Sequence, residues 1–409
     1  MKDKTQTITY VAAGIFLCSY FMRFLNFPNT LTVVLGAILC MIMAVQQKCI
    51  RIDFGIVLLT FTMETYYVIT NGTRGILFSI LYIPLVLYVL GNYMAGGVKN
   101  SQNKNDKLLL LIMLLVTGYT IHGILNSYMW FAGYVVPGTR RWQDFWSGEI
   151  VPGTQHASYF LPALALFLPA ILYFKEKKLI NGLIILASTF FCYASLVTKS
   201  RGSLLIFVFV FCVQAVLYLF LEKEKVREAI SSKKIWVLGI VGAIFIIAAI
   251  FVIKDSEVVA AFLANMGKGG GIFHNVRFKS QRLVLEQILT YPMGGRLMDL
   301  GGISHAHNVW LDMANAAGVI SFLAFTAYTI YTVYEVVKLL RNDAVSPKVK
   351  MVIAGIYGAF FLYFTIETAL EASVHLTTPW FFVNGLVHGM TSGKEKSKET
   401  CERRKINAE

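Results

Sequence analysis

Long apolar stretches separated by short polar segments make up most of the chain. A membrane-spanning helix needs about 20 mostly apolar residues to cross the hydrocarbon layer, and the hydropathy pattern predicts twelve such helices. The predicted spans are 7–25, 29–46, 53–70, 75–95, 107–125, 157–174, 180–197, 202–221, 235–253, 309–337, 350–369 and 373–390. A long polar segment, residues 254–308, separates the ninth span from the tenth.

The amino-acid composition also indicates a membrane protein. The 409 residues are 56% hydrophobic and 15% charged, and the mean hydropathy is +0.62, whereas soluble domains carry about 25% charged residues. These values exclude an ordinary soluble protein. The sequence therefore predicts an all-α polytopic membrane protein with about 12 transmembrane helices, organised as one integral membrane domain over residues 1–409.

The distribution of basic residues predicts how the chain is oriented. Most of its 37 Lys and Arg residues fall at the termini and in every second connecting segment, and short loops rich in these residues remain on the cytoplasmic side. Both termini are therefore predicted to be cytoplasmic, with residues 391–409 as a basic cytoplasmic tail and residues 254–308 as a large external loop. The net charge of +14 follows from these signals and favours contact with anionic membrane lipid. No nucleic-acid partner is expected.

Within the external loop, residues 275–290 have the pattern of an amphipathic helix. Apolar positions are interspersed with Arg277 and Arg282, which is typical of a helix that lies on a membrane surface. Arg282 has two interpretations. It precedes Glu286 by one helical turn and could form only a surface ion pair, or it could fold back toward an anionic substrate. Arg277 is a candidate substrate-binding residue on the same helix.

The start of the eighth predicted span is a candidate anion site. A helix N-terminus exposes unpaired N–H groups and a partial positive charge, and Lys199 and Arg201 add two full charges there. Together these groups can bind a phosphate or diphosphate. The alternative is that both side chains anchor the helix at the membrane edge.

Two histidines lie where the polar segment enters the tenth span. His305 and His307 precede Asn308, whose side chain can cap the helix by accepting hydrogen bonds from its first N–H groups. Asp312 and Asn315 lie on the same helical face as Asn308 and predict a polar cavity or a contact between helices. A histidine titrates near neutral pH and can accept a proton from a sugar hydroxyl. Either His305 or His307 is therefore a candidate base.

Two further groups complete the candidate set. Glu367 and Glu371 are one helical turn apart near the last two spans and could support the same cavity, although structural pairing is an equal alternative. Arg140 and Arg141 lie among tryptophans in the segment 126–156, which favours either anchoring at the membrane interface or a sugar-binding surface. No bound metal is expected, because the two histidines of the polar segment lack a nearby cysteine or clear carboxylate partner. No cofactor is implied.

In their order and spacing, these pieces resemble the O-antigen ligase and O-antigen polymerase superfamily of bacterial membrane glycosyltransferases. The matching pieces are Ser200-Arg201-Gly202 at the start of a span, Arg282 followed by Leu283 to Thr290 and by Pro292-Met293-Gly294-Gly295, and His305-Ala306-His307-Asn308-Val309-Trp310-Leu311 with Gly318. The resemblance covers roughly residues 190–330 and extends loosely to the last span. The chain departs from the family at Ala316, where members often carry an acid, and at Ser321, where a second glycine is expected.

The resemblance implies a GT-C-like fold and an inverting, metal-independent glycosyltransferase of the bacterial cytoplasmic (inner) membrane. The donor would be an undecaprenyl-diphosphate-linked glycan, and the acceptor a glycan or lipid-linked glycan on the outer face. Arg201 and Arg282 would hold the diphosphate leaving group. His307 would act as the catalytic base on the acceptor hydroxyl, and Asn308 would position the loop that carries it.

Three functions remain open from the sequence. The leading one is a polymerase of O-antigen or capsule polysaccharide, which joins lipid-linked repeat units. An O-antigen ligase would instead transfer the finished glycan to lipid A core or another acceptor. A flippase or other transporter of the same lipid-linked sugar is the alternative from a different class, although the internal repeat common in transporters is not evident.

Overall fold

The structure is a computed structural model that describes most of the chain. The described residues are 2–70, 77–99, 101–137, 139, 141–153, 158–174, 176–197, 200–224, 227, 276–367 and 374–392. Within them the chain is mostly helical, with twelve helices and one antiparallel pair of short strands.

The helices follow the apolar pattern of the sequence. In chain order the elements are α1 (Lys2–Phe21), α2 (Asn29–Gln47), α3 (Phe54–Thr70), α4 (Leu77–Val98), α5 (Lys104–Phe131), β1 (Arg141–Gln143), β2 (Ile150–Pro152), α6 (Leu161–Tyr173), α7 (Lys178–Val197), α8 (Arg201–Leu221), α9 (Val276–Gln287), α10 (Val309–Leu340), α11 (Pro347–Ile366) and α12 (Val374–Thr391). β1 and β2 form a hairpin within the predicted 126–156 loop, and α5 extends into that loop as far as Phe131.

Seven of the described helices are long and apolar enough to cross a membrane. They are α2, α4, α5, α7, α8, α10 and α11, while α3 and α6 are shorter apolar helices. The predicted helical character is confirmed, and the apolar helices are compatible with a membrane protein, while the number of twelve spans stays a prediction. The predicted ninth span, residues 254–275 of the polar segment and the tail beyond residue 392 lie outside the described residues.

Glycines allow α4 and α12 to pack with their backbones in contact. A Cβ atom added at Gly385 would clash with the Tyr88 carbonyl oxygen, and one added at Gly91 would clash with the backbone of α12. Gly389, one helical turn after Gly385, approaches α4 in the same way. This spacing of small residues lets helix backbones approach closely in a membrane, where packing replaces the hydrophobic effect between helices. The contact joins the last helix to the N-terminal half of the chain.

Gly318 divides α10 into two halves. Its backbone has φ 78° and ψ −175°, which is outside the helical region and in the range that favours glycine. The Trp310 indole N–H in the first half donates to the Thr329 hydroxyl at 3.0 Å, although a straight helix would separate these residues by about 28 Å. The first half therefore folds back against the second. The predicted span 309–337 thus contains a sharp break that its apolar pattern does not indicate.

The turn formed by residues 291–296 replaces hydrogen bonds that α10 loses at this break. The N–H groups of Gly295 and Arg296 donate to carbonyls at the end of the first half, at 3.0 and 2.8 Å. Val319, which begins the second half, donates to the Pro292 carbonyl at 2.9 Å. Unpaired backbone groups are costly in a membrane protein, so these bonds fix the turn against the break. The run Pro292-Met293-Gly294-Gly295 therefore packs directly against Gly318.

We predict that Gly385→Ala destabilises the protein, because the added methyl group would clash with the Tyr88 carbonyl oxygen. Overpacking of this kind costs about 1–3 kcal/mol, and a lower midpoint of thermal unfolding in detergent would measure it. Gly182→Ala in α7 is the matched control, because a methyl group there meets nothing within 4 Å. Equal midpoints for the two variants would contradict the close packing of α4 and α12.

Candidate functional site

Three of the candidate side chains meet at the end of α11. Glu367, which follows the last residue of α11, accepts a hydrogen bond from Arg277 of α9 at 2.8 Å. Its second carboxylate oxygen lies 3.9 Å from His307 Nδ1, which has no hydrogen-bond partner among the described residues. Arg277 also donates to the Ile366 carbonyl at 2.7 Å, which holds its guanidinium at the helix end. We call Arg277, His307 and Glu367 the Glu367 cluster.

A neighbouring residue of α9 holds this cluster together. Gln281 lies one turn after Arg277 on the same helix, and its amide donates to the His307 and Thr365 carbonyls at 3.1 and 3.2 Å. α9 therefore connects the histidine turn to the end of α11. Gln281 carries no charge and matches no motif, so only its i+4 spacing from Arg277 could have pointed to it.

The turn that carries His307 is fixed by the start of α10. Asn308 accepts from the Leu311 N–H at 3.1 Å, so the predicted helix cap is confirmed. Asp312 accepts from the Ala306 N–H at 2.6 Å. His307 has φ +53°, in the left-handed region where a residue with a side chain is strained. The surrounding hydrogen bonds therefore hold His307 in a backbone conformation that it would not favour alone.

Asp312 and Asn315 are buried in the first half of α10. The two residues are 7% and 2% exposed, and Asp312 Oδ2 and Asn315 Oδ1 have no hydrogen-bond partner within the described part of the chain. Asp312 supports the histidine turn through its other oxygen. His305 is half-buried on the same turn. The polar face predicted from spacing thus points into the protein beside the histidines.

A narrow cleft between α6, α8 and α11 leads to Glu367. It is lined by Ser158, Leu161, Gly202, Ser203, Ile206, Tyr363, Ile366 and Glu367. Arg201 is the first residue of α8 and directly precedes Gly202. The helix start that the sequence predicts as an anion site therefore borders the same cleft as the Glu367 cluster.

Arg282 does not join the cluster. Its side chain is 80% exposed and pairs with Glu286 at 2.7 Å, which is the surface ion pair that helical spacing allows. Arg277 and Arg282 are five positions apart, and this spacing separates them by about 140° around a helix. Because Arg277 faces Glu367, Arg282 faces away from it. Such an exposed pair contributes little to stability.

The remaining candidates lie elsewhere or outside the described residues. Arg141 is exposed on β1. Arg140, Lys199 and Glu371 lie outside the described residues. Contributions from these residues stay predictions.

The 126–156 segment uses polar and aromatic residues internally. Trp142 is fully buried, and Asp144 accepts a hydrogen bond from Asn126 at 3.0 Å. Asp144 Oδ2 also lies 3.0 Å from His122 Nε2. A buried carboxylate with these partners organises the loop and is not available to bind sugar hydroxyls.

An apolar cavity of about 290 Å³ begins next to the histidine turn. It is lined by Phe209, Val213, Trp310, Thr329, Val333, Val336, Val337, Ala354, Tyr357, Gly358, Phe361, Phe364 and Trp380. The Thr329 hydroxyl accepts from Trp310 and donates to its own helix, so it is not available to a ligand. Trp310 lies two positions after Asn308, which brings the apolar cavity within one helical turn of the polar histidine turn.

Asp144 gives the 126–156 loop a pH-dependent anchor. Burial alone would raise the pKa of this carboxyl, but the hydrogen bond and charge of His122, with the charge of Arg23, hold the pKa well below its usual range. The folded pKa is therefore lower than the unfolded value, and ionised Asp144 stabilises the fold at neutral pH. This contribution is present above the unfolded pKa of about 4 and is lost as the pH falls toward the folded pKa.

We predict that Asp144→Asn lowers the midpoint of thermal unfolding at neutral pH and weakens its dependence on pH below about 4. Thermal unfolding of the purified protein in detergent, measured across this range, checks both effects. Asp106→Asn is the control, because its carboxylate forms an exposed ion pair with Lys348 and such pairs contribute little. An Asp144→Asn variant that behaves like this control would rule out the anchor.

Two comparisons with known proteins give no relative. No protein-family model matches the chain, and a search of curated proteins gives no match.

Proposed function

We propose that the protein is a membrane glycosyltransferase that moves a glycan from an undecaprenyl-diphosphate carrier to a glycan acceptor on the outer face of the cytoplasmic membrane. The observation that carries this proposal is the position of the charged Glu367 cluster next to residues that line the apolar cavity. Trp310 follows His307 by three positions, and Phe364 precedes Glu367 by three. A lipid-linked glycan likewise has an apolar part and a charged part, because a long hydrocarbon chain is joined to an anionic diphosphate and a sugar. The resemblance found in the sequence favours the same substrate class.

The apolar cavity suits the hydrocarbon part of such a donor. Its lining residues are almost all aliphatic or aromatic. Inside a membrane this cavity provides shape and packing rather than a hydrophobic driving force, since lipid tails already surround the protein. It would therefore orient the donor, so that the diphosphate at the end of the chain meets the Glu367 cluster.

We assign Arg277 to the diphosphate. Its guanidinium is paired with Glu367, and a diphosphate, which carries more negative charge than a carboxylate, competes for the same N–H donors. Arg201 and Lys199 add positive charge at the start of α8 by the sequence-based assignment. Arg282 would contribute only if its surface ion pair opened.

We assign His307 to the acceptor. Its ring accepts the proton of the attacking hydroxyl as that oxygen forms a bond with the anomeric carbon, and the configuration there inverts. The diphosphate leaves with the electron pair of the broken C–O bond, and the arginine side chains stabilise its developing charge. Glu367, which lies 3.9 Å from His307 Nδ1, orients the ring and stabilises its protonated form once Arg277 turns to the donor.

We also propose that the chain crosses the membrane twelve times and that both of its termini are cytoplasmic. Twelve spans with both termini in the cytoplasm would leave the Glu367 cluster and the 291–296 turn on the outer side. The break at Gly318 supports a site there, because non-helical backbone in membrane proteins occurs where it is buried in protein or lines a cavity.

Purified protein supplied with an undecaprenyl-diphosphate-linked oligosaccharide should release undecaprenyl diphosphate in detergent without a membrane gradient. We expect His307→Ala and Arg277→Ala each to lower the release rate by about 100-fold or more, as loss of a general base or a charge-stabilising group does. Separation and quantification of the lipid products measures this rate. A transporter would release no diphosphate under these conditions.

Arg282→Ala is the matched control on the same helix. Because Arg282 is exposed and paired with Glu286, its removal should lower the rate much less than removal of Arg277. Combining Glu367→Gln with His307→Ala should cost no more than His307→Ala alone, since residues that act as a unit are not additive. If Arg277→Ala leaves the rate unchanged, the assignment of the diphosphate site is wrong.

A polymerase is the leading form of this activity, and a ligase is the alternative. If the protein polymerises lipid-linked repeats, deletion of its gene should leave acceptors that carry a single repeat unit. Accumulation of long lipid-linked chains would instead identify a ligase. Glycan profiles of the deletion strain, complemented with the wild-type or the His307→Ala gene, separate the two outcomes.

A further inference from the structure

A second cluster of ionisable side chains lies at the opposite end of the helices from the Glu367 cluster. His388 of α12 has its Nε2 atom 3.3 Å from Asp53 Oδ2 and its Nδ1 atom 4.0 Å from Glu335 Oε2. The side chains of His388, Asp53 and Glu335 are 12%, 10% and 7% exposed. α10 begins two residues after His307 and carries Glu335 near its other end.

Buried ionisable residues of this kind are unusual in a membrane protein. Charged side chains within membrane helices are costly, so they are rare and generally mark sites for ions, protons or substrates. Glu335 and His388 lie in α10 and α12, and Asp53 directly precedes α3. The glycosyl transfer proposed above uses none of them, so they require a separate explanation.

Asp53 is an acceptor for every neighbour described around it. Its Oδ1 atom accepts from the Ile56 N–H and from the Tyr88 hydroxyl, both at 2.9 Å. Its Oδ2 atom accepts from the Asn92 amide at 2.6 Å. Because an ionised carboxylate can only accept hydrogen bonds, we assign the hydrogen of a neutral His388 ring to Nε2, which lies 3.3 Å from Asp53 Oδ2.

The other ring nitrogen of His388 faces a group that can either donate or accept. The Tyr331 hydroxyl lies 2.9 Å from His388 Nδ1, and a tyrosine hydroxyl has both capacities. A neutral ring accepts a hydrogen bond at Nδ1 from Tyr331. When Nδ1 gains a proton, the hydroxyl turns and accepts, and Glu335, 4.0 Å away, stabilises the added charge. Both protonation states are accommodated without movement of a helix.

We propose that His388, Asp53 and Glu335 form a proton-binding site that takes up one proton at His388 Nδ1 from the side of the membrane opposite to the Glu367 cluster. The proton comes from water and forms an N–H bond, and no group is oxidised, reduced or cleaved. In the orientation proposed above, this is the cytoplasmic side. The proton changes the charge where α10 meets α12 and the start of α3, so its binding alters how firmly α10 is held there.

An unpaired acceptor beside Asp53 is a second observation that favours a proton as the ligand. Asn92 is 2% exposed, and its amide oxygen has no hydrogen-bond partner within the described residues. Rotation of the amide would bring this oxygen to the position 2.6 Å from Asp53 Oδ2 that the nitrogen occupies. It could then accept from a protonated Asp53. The hydrogen bond between Asp53 and Asn92 can therefore form whether or not Asp53 shares the added proton.

Other groups face the ring from each neighbouring element. Lys338 of α10 lies 3.6 Å from the second oxygen of Glu335 and is 46% exposed, so solvent screens its charge. Thr391 of α12 donates to Glu335. Arg51, before α3, acts on the ring by its charge, and the Tyr88 ring of α4 lies beside it. The Asp53 and Glu335 carboxylates favour an added proton on the ring, whereas burial of the ring and the positive charges of Lys338 and Arg51 oppose it.

A titration of histidine rings in the full chain tests the proposal. The protein contains seven His residues, so protein labelled with carbon-13 at the ring Cε1 atom gives a small set of signals in detergent micelles. The signal that disappears in His388→Gln belongs to His388. We expect this signal to move toward the protonated position as the pH is lowered from about 8 at constant sodium and potassium concentrations. A signal that stays in the neutral position throughout would overturn the proposal.

Two variants connect the titration to the cluster. Glu335→Gln removes the negative charge near Nδ1, so the protonated fraction of the His388 ring at a fixed pH should fall severalfold. Asp106→Asn, which changes an exposed carboxylate of α5, is the control and should leave the signal unchanged. If Glu335→Gln does not fold, Tyr331→Phe, which removes only a hydroxyl, should alter the same signal.

Sodium and potassium distinguish a proton site from a metal-cation site. A shift of the His388 signal on addition of either ion at constant pH would contradict a proton as the ligand. These spectra do not depend on glycosyl transfer, so failure of the proton site and failure of the proposed enzyme activity are distinguishable.

Discussion

Three backbone hydrogen bonds across the break in α10 determine the geometry of the candidate site. The chain reverses at Gly318 because glycine tolerates its positive φ and because a side chain there would clash with the Pro292 carbonyl. The 291–296 turn supplies partners for the backbone groups that the break exposes. Trp310 can then fold back to Thr329, and the histidine turn comes to rest beside the end of α11.

Glu367 joins the parts that this geometry brings together. One of its oxygens pairs with Arg277, and the other faces His307. A single carboxylate thus restrains both the guanidinium and the imidazole to which we assign the diphosphate and the acceptor hydroxyl. In the proposed glycosyl transfer, an arriving anionic donor would release Arg277 and leave Glu367 to His307, which would couple donor binding to preparation of the base. α10 begins two residues after His307 and carries Glu335, which faces His388, near its other end.

Features that depend on local interactions could be read from the sequence. The apolar pattern predicted the described long helices, because each needs only its own run of apolar residues. The Asn308 cap was predictable because the side chain bonds to Leu311, three positions later. The ion pair of Arg282 with Glu286 followed from helical spacing in the same way. The β-hairpin was not predicted, since its anchor Asp144 depends on a partner in α5.

The sequence by itself determined the helical class, the abundance of membrane-compatible helices and the residue types available for chemistry. These features depend on composition and on the apolar pattern within each helix, and they need no contact between distant parts of the chain. Only the tertiary structure decided that Arg277, rather than Arg282, faces Glu367, and that α10 breaks at Gly318. Those outcomes depend on contacts between residues distant in the chain. Spacing defines two faces of a helix such as α9, but the face that turns inward is decided by what the rest of the fold presents to it.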